Sequence, residues 1–102
     1  MSKTQTVLVV DDDGSANRAV LALEARGYAI IRASDGWSAL WIARRARLDV
    51  VLVDLSAPGA FEFLEEKAAD PELNEVPLLV VTVFAEELRE QGYSNAIAPT
   101  MH

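Results

Sequence analysis

Short apolar runs alternate along this chain with longer segments in which apolar residues recur at helical spacing. The runs are rich in Val, Ile and Leu and predict strands over residues 7–10, 28–33, 49–54, 77–82 and, more weakly, 95–98. Helices are predicted between them, over residues 15–26, 37–47, 61–69 and 85–91. Gly27 and Gly92 follow two of these helices, at the position where glycine ends a helix most readily.

Strands that alternate with helices predict a parallel sheet with right-handed crossovers. The run Val7-Leu8-Val9-Val10 is apolar at every position, which is typical of a strand covered on both faces. The chain has 102 residues, 51% of them apolar and 25% charged, and it contains no linker or repeat. We therefore expect one α/β domain over residues 1–102.

Composition excludes several classes of function. The chain has no cysteine and a single histidine, His102, so disulfides, Cys-based zinc sites and a Ser-His-Asp triad are excluded. A net charge of −7 disfavours binding to nucleic acid and to anionic membranes. No apolar run approaches the ~20 residues that span a bilayer, and the N-terminus is too polar for a signal peptide. We expect a cytoplasmic protein that binds neither nucleic acid nor membrane.

Polar side chains follow three of the predicted strands. Asp11 and Asp12 come directly after the first strand, Asp54 ends the third, and Thr82 ends the fourth. In open parallel sheets, functional groups gather at the carboxyl ends of the strands. If the first and third strands are neighbours, three carboxylates converge. Two unit charges ~4 Å apart at an effective dielectric of ~20 repel by roughly 4 kcal/mol, so a cation or a proton must balance them. An all-oxygen site of this kind suits Mg²⁺.

The same carboxylates have a plainer interpretation as helix caps. For Asp13 alone, capping is the better interpretation. It explains Asp11, Asp12 and Asp54 together poorly, because all three stand at strand ends. Thr82 alone would be an ordinary strand residue, and it gains meaning only from these neighbours.

Five stretches of the chain together resemble the response-regulator receiver domains of two-component signalling. They are residues 7–13, 27–28, 33–40, 49–54 together with Pro58-Gly59, and 76–82, with weaker similarity through Gly92 and Pro99. The resemblance implies a flavodoxin-like, doubly wound, five-stranded parallel sheet of order 2-1-3-4-5.

The resemblance also implies roles for individual residues. Asp54 would accept a phosphoryl group from a phosphohistidine, and Thr82 would donate a hydrogen bond to it. Asp12 and Asp54 would bind Mg²⁺ directly, Asp11 through water, and Ser56 through its backbone carbonyl. Such a domain is not an enzyme beyond self-catalysed phosphorylation and dephosphorylation. Its expected partner is a sensor histidine kinase or a phosphotransfer protein.

The chain departs from the family pattern near its end. Ala98 stands where the family has a lysine, Ala96 where it has an aromatic residue, and Val83 where it has a small one. The loop after Pro58-Gly59 is about two residues short. The C-terminal helix of the family is missing, so we expect the last strands to be covered by a partner or a second copy, unless the chain is a truncated form.

Trp37 and Trp41 are four residues apart on the second helix, opposite the face that would pack on the sheet. With Arg44 and Arg45 beside them, they predict a protein-binding patch. The alternative is that both rings pack against a neighbouring loop.

Three functions remain open at this point. The first is a phosphorylatable receiver domain, and the second is a receiver-like module that binds a protein partner without phosphorylation. The third follows from Asp11-Asp12-Asp13-Gly14-Ser15, which also fits the opening motif of haloacid-dehalogenase-like phosphatases, with Asp11 as nucleophile and Asp13 as general acid.

Overall fold

A computed structural model describes residues 4–99 of the chain. The strands are β1 (Thr6–Val10), β2 (Ala29–Ala33), β3 (Val50–Asp54), β4 (Leu78–Val81) and β5 (Ala96–Ile97). The helices are α1 (Asn17–Ala25), α2 (Gly36–Ala43), α3 (Ala60–Ala69) and α4 (Ala85–Glu90). No helix in this part of the chain is long and apolar enough to cross a bilayer.

The strands form one parallel sheet of order β2-β1-β3-β4-β5, which confirms the predicted flavodoxin-like topology. In the register, Val10 pairs with Val53 and Asp54 pairs with Val81. The carboxyl ends of β1, β3 and β4 therefore lie at one edge of the sheet, which is where the polar residues after each strand are placed.

Two apolar cores lie on opposite faces of the sheet. On one face, α2 and α3 pack over Leu8, Val10, Val51 and Val53, with Phe63 as the largest buried side chain. On the other face, Val20 of α1 packs on alternate residues of the same strands: Val7, Val9 and Leu52. Both sets of strand residues are almost fully buried, which confirms that the unbroken apolar runs are covered on both faces.

Two predicted helix boundaries are wrong. The first helix begins at Asn17 rather than at residue 15, because carboxylates of the preceding loop accept the backbone N–H groups of Ser15 and Ala16. The second helix ends at Ala43 rather than at residue 47, since the N–H groups of Arg45 and Ala46 both turn back to the carbonyl of Ile42.

The last strands are covered less completely than the centre of the sheet. No helix follows β5 within residues 4–99. On the face that carries α1, Leu79 and Ile97 are only partly buried and line a groove of about 310 Å³ together with Ala22, Leu23 and the stem of Arg26. This groove lies where a covering element was expected from the sequence.

The N-terminus of α2 is in backbone contact with the loop between β3 and α3. The Gly36 N–H donates to the carbonyl of Pro58 at 2.7 Å. A Cβ atom on Gly36 would overlap the carbonyl carbon and oxygen of Gly59. Gly59 in turn has a left-handed φ of 73° and lies under the ring of Trp37. The absence of a side chain at both positions brings α2 directly onto the loop that follows Asp54.

We predict that Gly36→Ala destabilises the fold by about 2–3 kcal/mol, because the methyl group meets backbone atoms that cannot move aside as a side chain would. Helix propensity alone predicts the opposite sign, a gain of up to about 1 kcal/mol. Urea unfolding measures the difference. Glu24→Ala, on α1, is the control and should change stability by less than about 0.5 kcal/mol. A Gly36→Ala protein as stable as the wild type would contradict the close contact.

Candidate functional site

Four carboxylates meet at the carboxyl edge of β1 and β3. One oxygen from each of Asp11, Asp12, Asp13 and Asp54 lies within 4.8 Å of the others. Asp54 is buried, Asp11 is partly buried, and Asp12 and Asp13 are exposed. The structure thus brings together the three aspartates singled out from the strand ends, and it adds Asp13.

The loop after β1 satisfies two of these carboxylates with its own backbone. Asp11 accepts hydrogen bonds from the N–H groups of Asp13 at 3.2 Å and Ala16 at 3.0 Å, one on each oxygen. Asp13 accepts from the N–H of Ser15 at 2.9 Å, and hydrogen bonding to Ser15 lowers the pKa of Asp13 to about 2. The prediction that Asp13 caps the first helix is therefore wrong. Its carboxylate accepts from Ser15 in the loop before α1, and the N-cap residue of α1 is Ala16, which forms no side-chain cap bond.

Asp54 is in a different situation, because it ends a strand that is apolar throughout and its side chain is only 3% exposed. Its Oδ1 accepts two hydrogen bonds from Ser56, from the N–H at 2.9 Å and from the hydroxyl at 2.7 Å. Its Oδ2 is buried and has no hydrogen-bond partner within the described residues. Burial raises the pKa of Asp54, and the negative charge of Asp11 raises it further.

This set of donors fits a hard divalent cation. Every side-chain ligand is a carboxylate oxygen, which is what Mg²⁺ prefers, and softer metals are favoured by nitrogen or sulfur. The unpartnered Oδ2 of Asp54 is a buried polar atom of the kind that is normally satisfied. A cation beside it would supply the missing partner and reduce the repulsion among the four carboxylates.

Thr82 lies at the same edge of the sheet. It directly follows Val81, the register partner of Asp54, and is 7% exposed. Its N–H donates to the carbonyl of Ile97 at 2.9 Å, and its hydroxyl oxygen accepts from the N–H of Phe84 at 3.2 Å.

The position at which a lysine was expected carries no charge. Ala98 follows Ile97 at this edge and is exposed. Lys67 does not replace it, because it is buried in the last turn of α3, and α3 begins at the site edge and runs away from it. Desolvation lowers the pKa of Lys67.

The two tryptophans of α2 are exposed to the same extent, 60% each. The inner face of the helix carries the buried Ala39 and Ala43, as the spacing predicted. Trp37 lies over Gly59, so the alternative of packing against a neighbouring loop holds for part of one ring. Trp41 is covered by the guanidinium of Arg45, 4.1 Å from the ring centre.

Sequence reasoning assigned Ser56 a role through its backbone carbonyl and missed its side chain. The hydroxyl of Ser56 forms a 2.7 Å hydrogen bond to Asp54. A serine two residues after a strand-end aspartate is a weak signal for such a bond, since serine favours turns for several reasons.

Comparisons with known proteins agree with this fold. No family model matches the chain. The polar-differentiation response regulator DivK of Brucella anthropi is 33% identical over 96 residues, which cover 86% of this chain and 78% of that protein. The chemotaxis response regulator CheY4 of Vibrio cholerae has a structure that superposes with a TM-score of 0.72 at 31% identity, covering 94% of this chain and 84% of that one. The receiver domain of a sensor histidine kinase from Pseudomonas aeruginosa, solved with magnesium coordinated in its active-site cleft, shares the fold with a TM-score of 0.77 at 24% identity, covering 98% and 88% of the two chains.

A parallel sheet of order 2-1-3-4-5 with an acidic cluster at the ends of β1 and β3 defines the class of receiver folds. The chain belongs to the response-regulator receiver domains of two-component signalling. These are signalling proteins and not classical enzymes. The phosphatase interpretation is not supported, because the relatives and the solved structures that match the chain are receiver domains.

We predict that Asp54→Asn stabilises the metal-free protein at pH 7 by about 1–3 kcal/mol, the usual cost of a buried unsatisfied acceptor. A raised pKa means that the fold favours the protonated carboxyl. Ionisation of Asp54 therefore begins to destabilise the folded protein as the pH rises above the ordinary aspartate pKa of 3.8, and this destabilisation is complete above the raised pKa. Urea unfolding in the presence of a chelator, at several pH values, should show that the stability gained by Asp54→Asn increases as the pH rises.

Asp13→Asn is the matched control for this prediction. Asp13 is exposed and its pKa is lowered, so removal of its charge should not stabilise the protein at pH 7. An Asp54→Asn protein that is less stable than the wild type in chelator would contradict the destabilising effect assigned to the buried Asp54 carboxylate.

Proposed function

We propose that this receiver domain is a phosphoacceptor and that Asp54 is the residue phosphorylated. The proposal rests on the difference in hydrogen bonding between the two carboxylate oxygens of Asp54. Oδ1 is held by two hydrogen bonds from Ser56, whereas Oδ2 is buried and unpartnered beside the other carboxylates. Oδ2 is therefore the oxygen with a free lone pair for attack on phosphorus.

In the proposed step, Asp54 Oδ2 forms a bond to phosphorus as the P–N bond of a phosphohistidine breaks. The imidazole leaves with the electron pair and takes up a proton. Ser56 keeps the carboxylate oriented by holding Oδ1, and the apolar residues below Asp54 keep it from turning into water. Self-catalysed phosphorylation from acetyl phosphate uses the same attack by Asp54 Oδ2, with a P–O bond breaking and acetate leaving. Hydrolysis of the aspartyl phosphate by water releases inorganic phosphate and restores the carboxylate.

The proposed cofactor is Mg²⁺. Asp11, Asp12 and Asp54 would hold it, with the backbone carbonyl of Ser56 as a further ligand, and Asp11 would act through water because its oxygens are already engaged. Bound Mg²⁺ supplies charge neutralisation for the attacking carboxylate and the phosphoryl oxygens. The magnesium in the cleft of the Pseudomonas receiver supports the choice of metal.

Thr82 is proposed to donate a hydrogen bond from its hydroxyl to a phosphoryl oxygen. The hydroxyl oxygen now accepts from Phe84, which leaves the hydroxyl proton free for a new acceptor. The proposed donor of the phosphoryl group is a sensor histidine kinase or a phosphotransfer protein, and the proposed location is the cytoplasm. An output partner or a second copy of the chain is proposed to cover the groove beside the last strands.

One observation favours a second function, a receiver that binds its partner without phosphorylation. Ala98 supplies no cation at the site edge, and a fixed positive charge is a strong source of stabilisation in phosphoryl transfer. The two functions differ in whether Asp54 becomes labelled and in whether Mg²⁺ binds at physiological concentration.

We expect the wild type to take up one phosphoryl group from acetyl phosphate in Mg²⁺ and Asp54→Asn to take up none, because the nucleophilic oxygen is lost. Intact-mass spectrometry measures the addition. Asp49→Asn is the matched control and should be labelled like the wild type, since Asp49 bonds to Thr6 at the opposite end of the sheet. Labelling that survives in Asp54→Asn would contradict the assignment. An unlabelled wild type that also shows no amide NMR shifts with Mg²⁺ and beryllofluoride would favour the phosphorylation-independent function.

We predict that Ala98→Lys raises the rate of labelling from acetyl phosphate by about 10–100-fold, because it places a cation at the site edge. The carbonyl of the preceding Ile97 already bonds to Thr82, so the new side chain starts next to the phosphoryl-binding hydroxyl. Gln5→Lys adds the same charge at the opposite edge of the sheet and should leave the rate unchanged. An equal effect of both variants would show that general charge, and not position, controls the rate.

A further inference from the structure

The outer face of α2 is apolar, yet no element within residues 4–99 covers it. Within Gly36–Ala43 the one polar side chain is that of Ser38, and it is used in the cap bond to Asp35. Of the helices in residues 4–99, α2 is the one without a charged side chain. A helix that is apolar on both faces is normally buried on both, yet this one packs on the sheet and on α3 and leaves Trp37 and Trp41 exposed.

Two large side chains make up most of this outer face. Trp37 and Trp41 lie one helical turn apart and are each 60% exposed. Tryptophan is among the residues that contribute most to protein interfaces, because it buries a large rigid area at a small cost in entropy. Both rings are already restrained, Trp37 by Gly59 and Trp41 by Arg45.

Two arginines lie beside the tryptophan rings, and they differ in whether a carboxylate pairs with them. Arg44 pairs with Glu66 at 3.3 Å and lies 3.7 Å from Asp70. Arg45 has no carboxylate partner in the described part of the chain. Its guanidinium stacks on Trp41 and donates one bond to the Trp41 carbonyl at 2.9 Å. Trp37, Trp41 and Arg45 thus form a stripe, here called the α2 stripe, that is aromatic and basic on a chain whose net charge is −7.

We propose that the α2 stripe is a docking surface for a segment of another protein that carries acidic side chains beside an apolar face. The apolar face would cover the two rings, and a carboxylate would pair with Arg45, whose planar fork suits carboxylates. A lipid surface fits less well, because the other charges of this acidic chain would be repelled by anionic headgroups. The proposal does not depend on phosphorylation of Asp54.

The test uses the full chain and two synthetic amphipathic peptides of about 18 residues, long enough to form a helix. One has Leu on one face and Glu elsewhere, and the other has Lys in place of every Glu. Net charge alone predicts that the Lys peptide binds more tightly, whereas the α2 stripe predicts the Glu peptide. We expect the Glu peptide to bind at least about tenfold more tightly, with a blue shift of tryptophan emission and amide NMR shifts centred on α2.

Variants locate the contact. Trp41→Ala should weaken binding of the Glu peptide about tenfold or more, and Arg45→Glu should reverse the preference between the peptides. Leu21→Ala is the control, because Leu21 is 66% exposed on α1, and it should leave both affinities unchanged. All three positions are exposed, and circular dichroism verifies that each variant is folded.

Several results would overturn the proposal. The first is tighter binding of the Lys peptide than of the Glu peptide. The second is a Glu peptide that does not bind, or that binds Trp41→Ala as tightly as the wild type. The third is NMR shifts that map away from α2. Binding to phosphatidylglycerol vesicles through the tryptophans would assign the α2 stripe to a membrane instead. Self-association in sedimentation that Trp41→Ala abolishes would assign it to a second copy of this chain.

Discussion

The structure depends on the concentration of negative charge at one edge of a parallel sheet. Because β1 and β3 are neighbours in register, the residues that follow Val10 and Val53 are forced together, and both are aspartates. Ala98, at the position after β5, adds no positive charge at this edge. Backbone and hydroxyl donors form hydrogen bonds to Asp11, Asp13 and Asp54. Three of the four carboxylates can turn toward loop N–H groups or solvent, whereas Asp54 is fixed above the core.

Hydrogen bonding and burial give chemically identical side chains different properties. Asp13 is exposed and bonded to Ser15, so its charged form is favoured and its pKa falls to about 2. Asp54 is buried, and although Ser56 bonds to one oxygen, burial and the nearby Asp11 shift its pKa in the opposite direction. Pairs of titratable groups whose environments drive their pKa values apart are characteristic of functional sites. The residue with the raised pKa is also the one with an unpartnered oxygen, and burial of the Asp54 side chain underlies both properties.

Much of this arrangement follows from the sequence alone. The runs at β1 and β3 are apolar at every position, and this pattern predicts a parallel, doubly covered sheet. The adjacency of β1 and β3, which brings Asp11, Asp12 and Asp54 together, is implied only by the resemblance to receiver domains. Local side-chain geometry does not follow from it. A serine hydroxyl in a turn can bond to more than one nearby acceptor, so the sequence does not predict that Ser56 bonds to Asp54. The early end of α2 depends on the bond from the Arg45 N–H to the carbonyl of Ile42, which the sequence does not predict either. The contact of Gly36 with Gly59 joins residues 23 positions apart, and no local pattern predicts it.

That contact also relates the acidic site to the surface of α2. The loop that begins with Ser56, bonded to Asp54, continues through Pro58, which accepts the Gly36 N–H, to Gly59, which supports the ring of Trp37. The step from Asp54 to Ser56 is a hydrogen bond to the Asp54 carboxylate, the later steps are a backbone bond and close packing contacts, and none of them involves Thr82 or β5. Ala96 in β5 and Ala98 directly after it are the two positions at which the resemblance to receiver domains leads us to expect an aromatic residue and a lysine. The connection between the site and a large aromatic surface is therefore made on the α2 side of the sheet, by glycines that allow backbone to meet backbone.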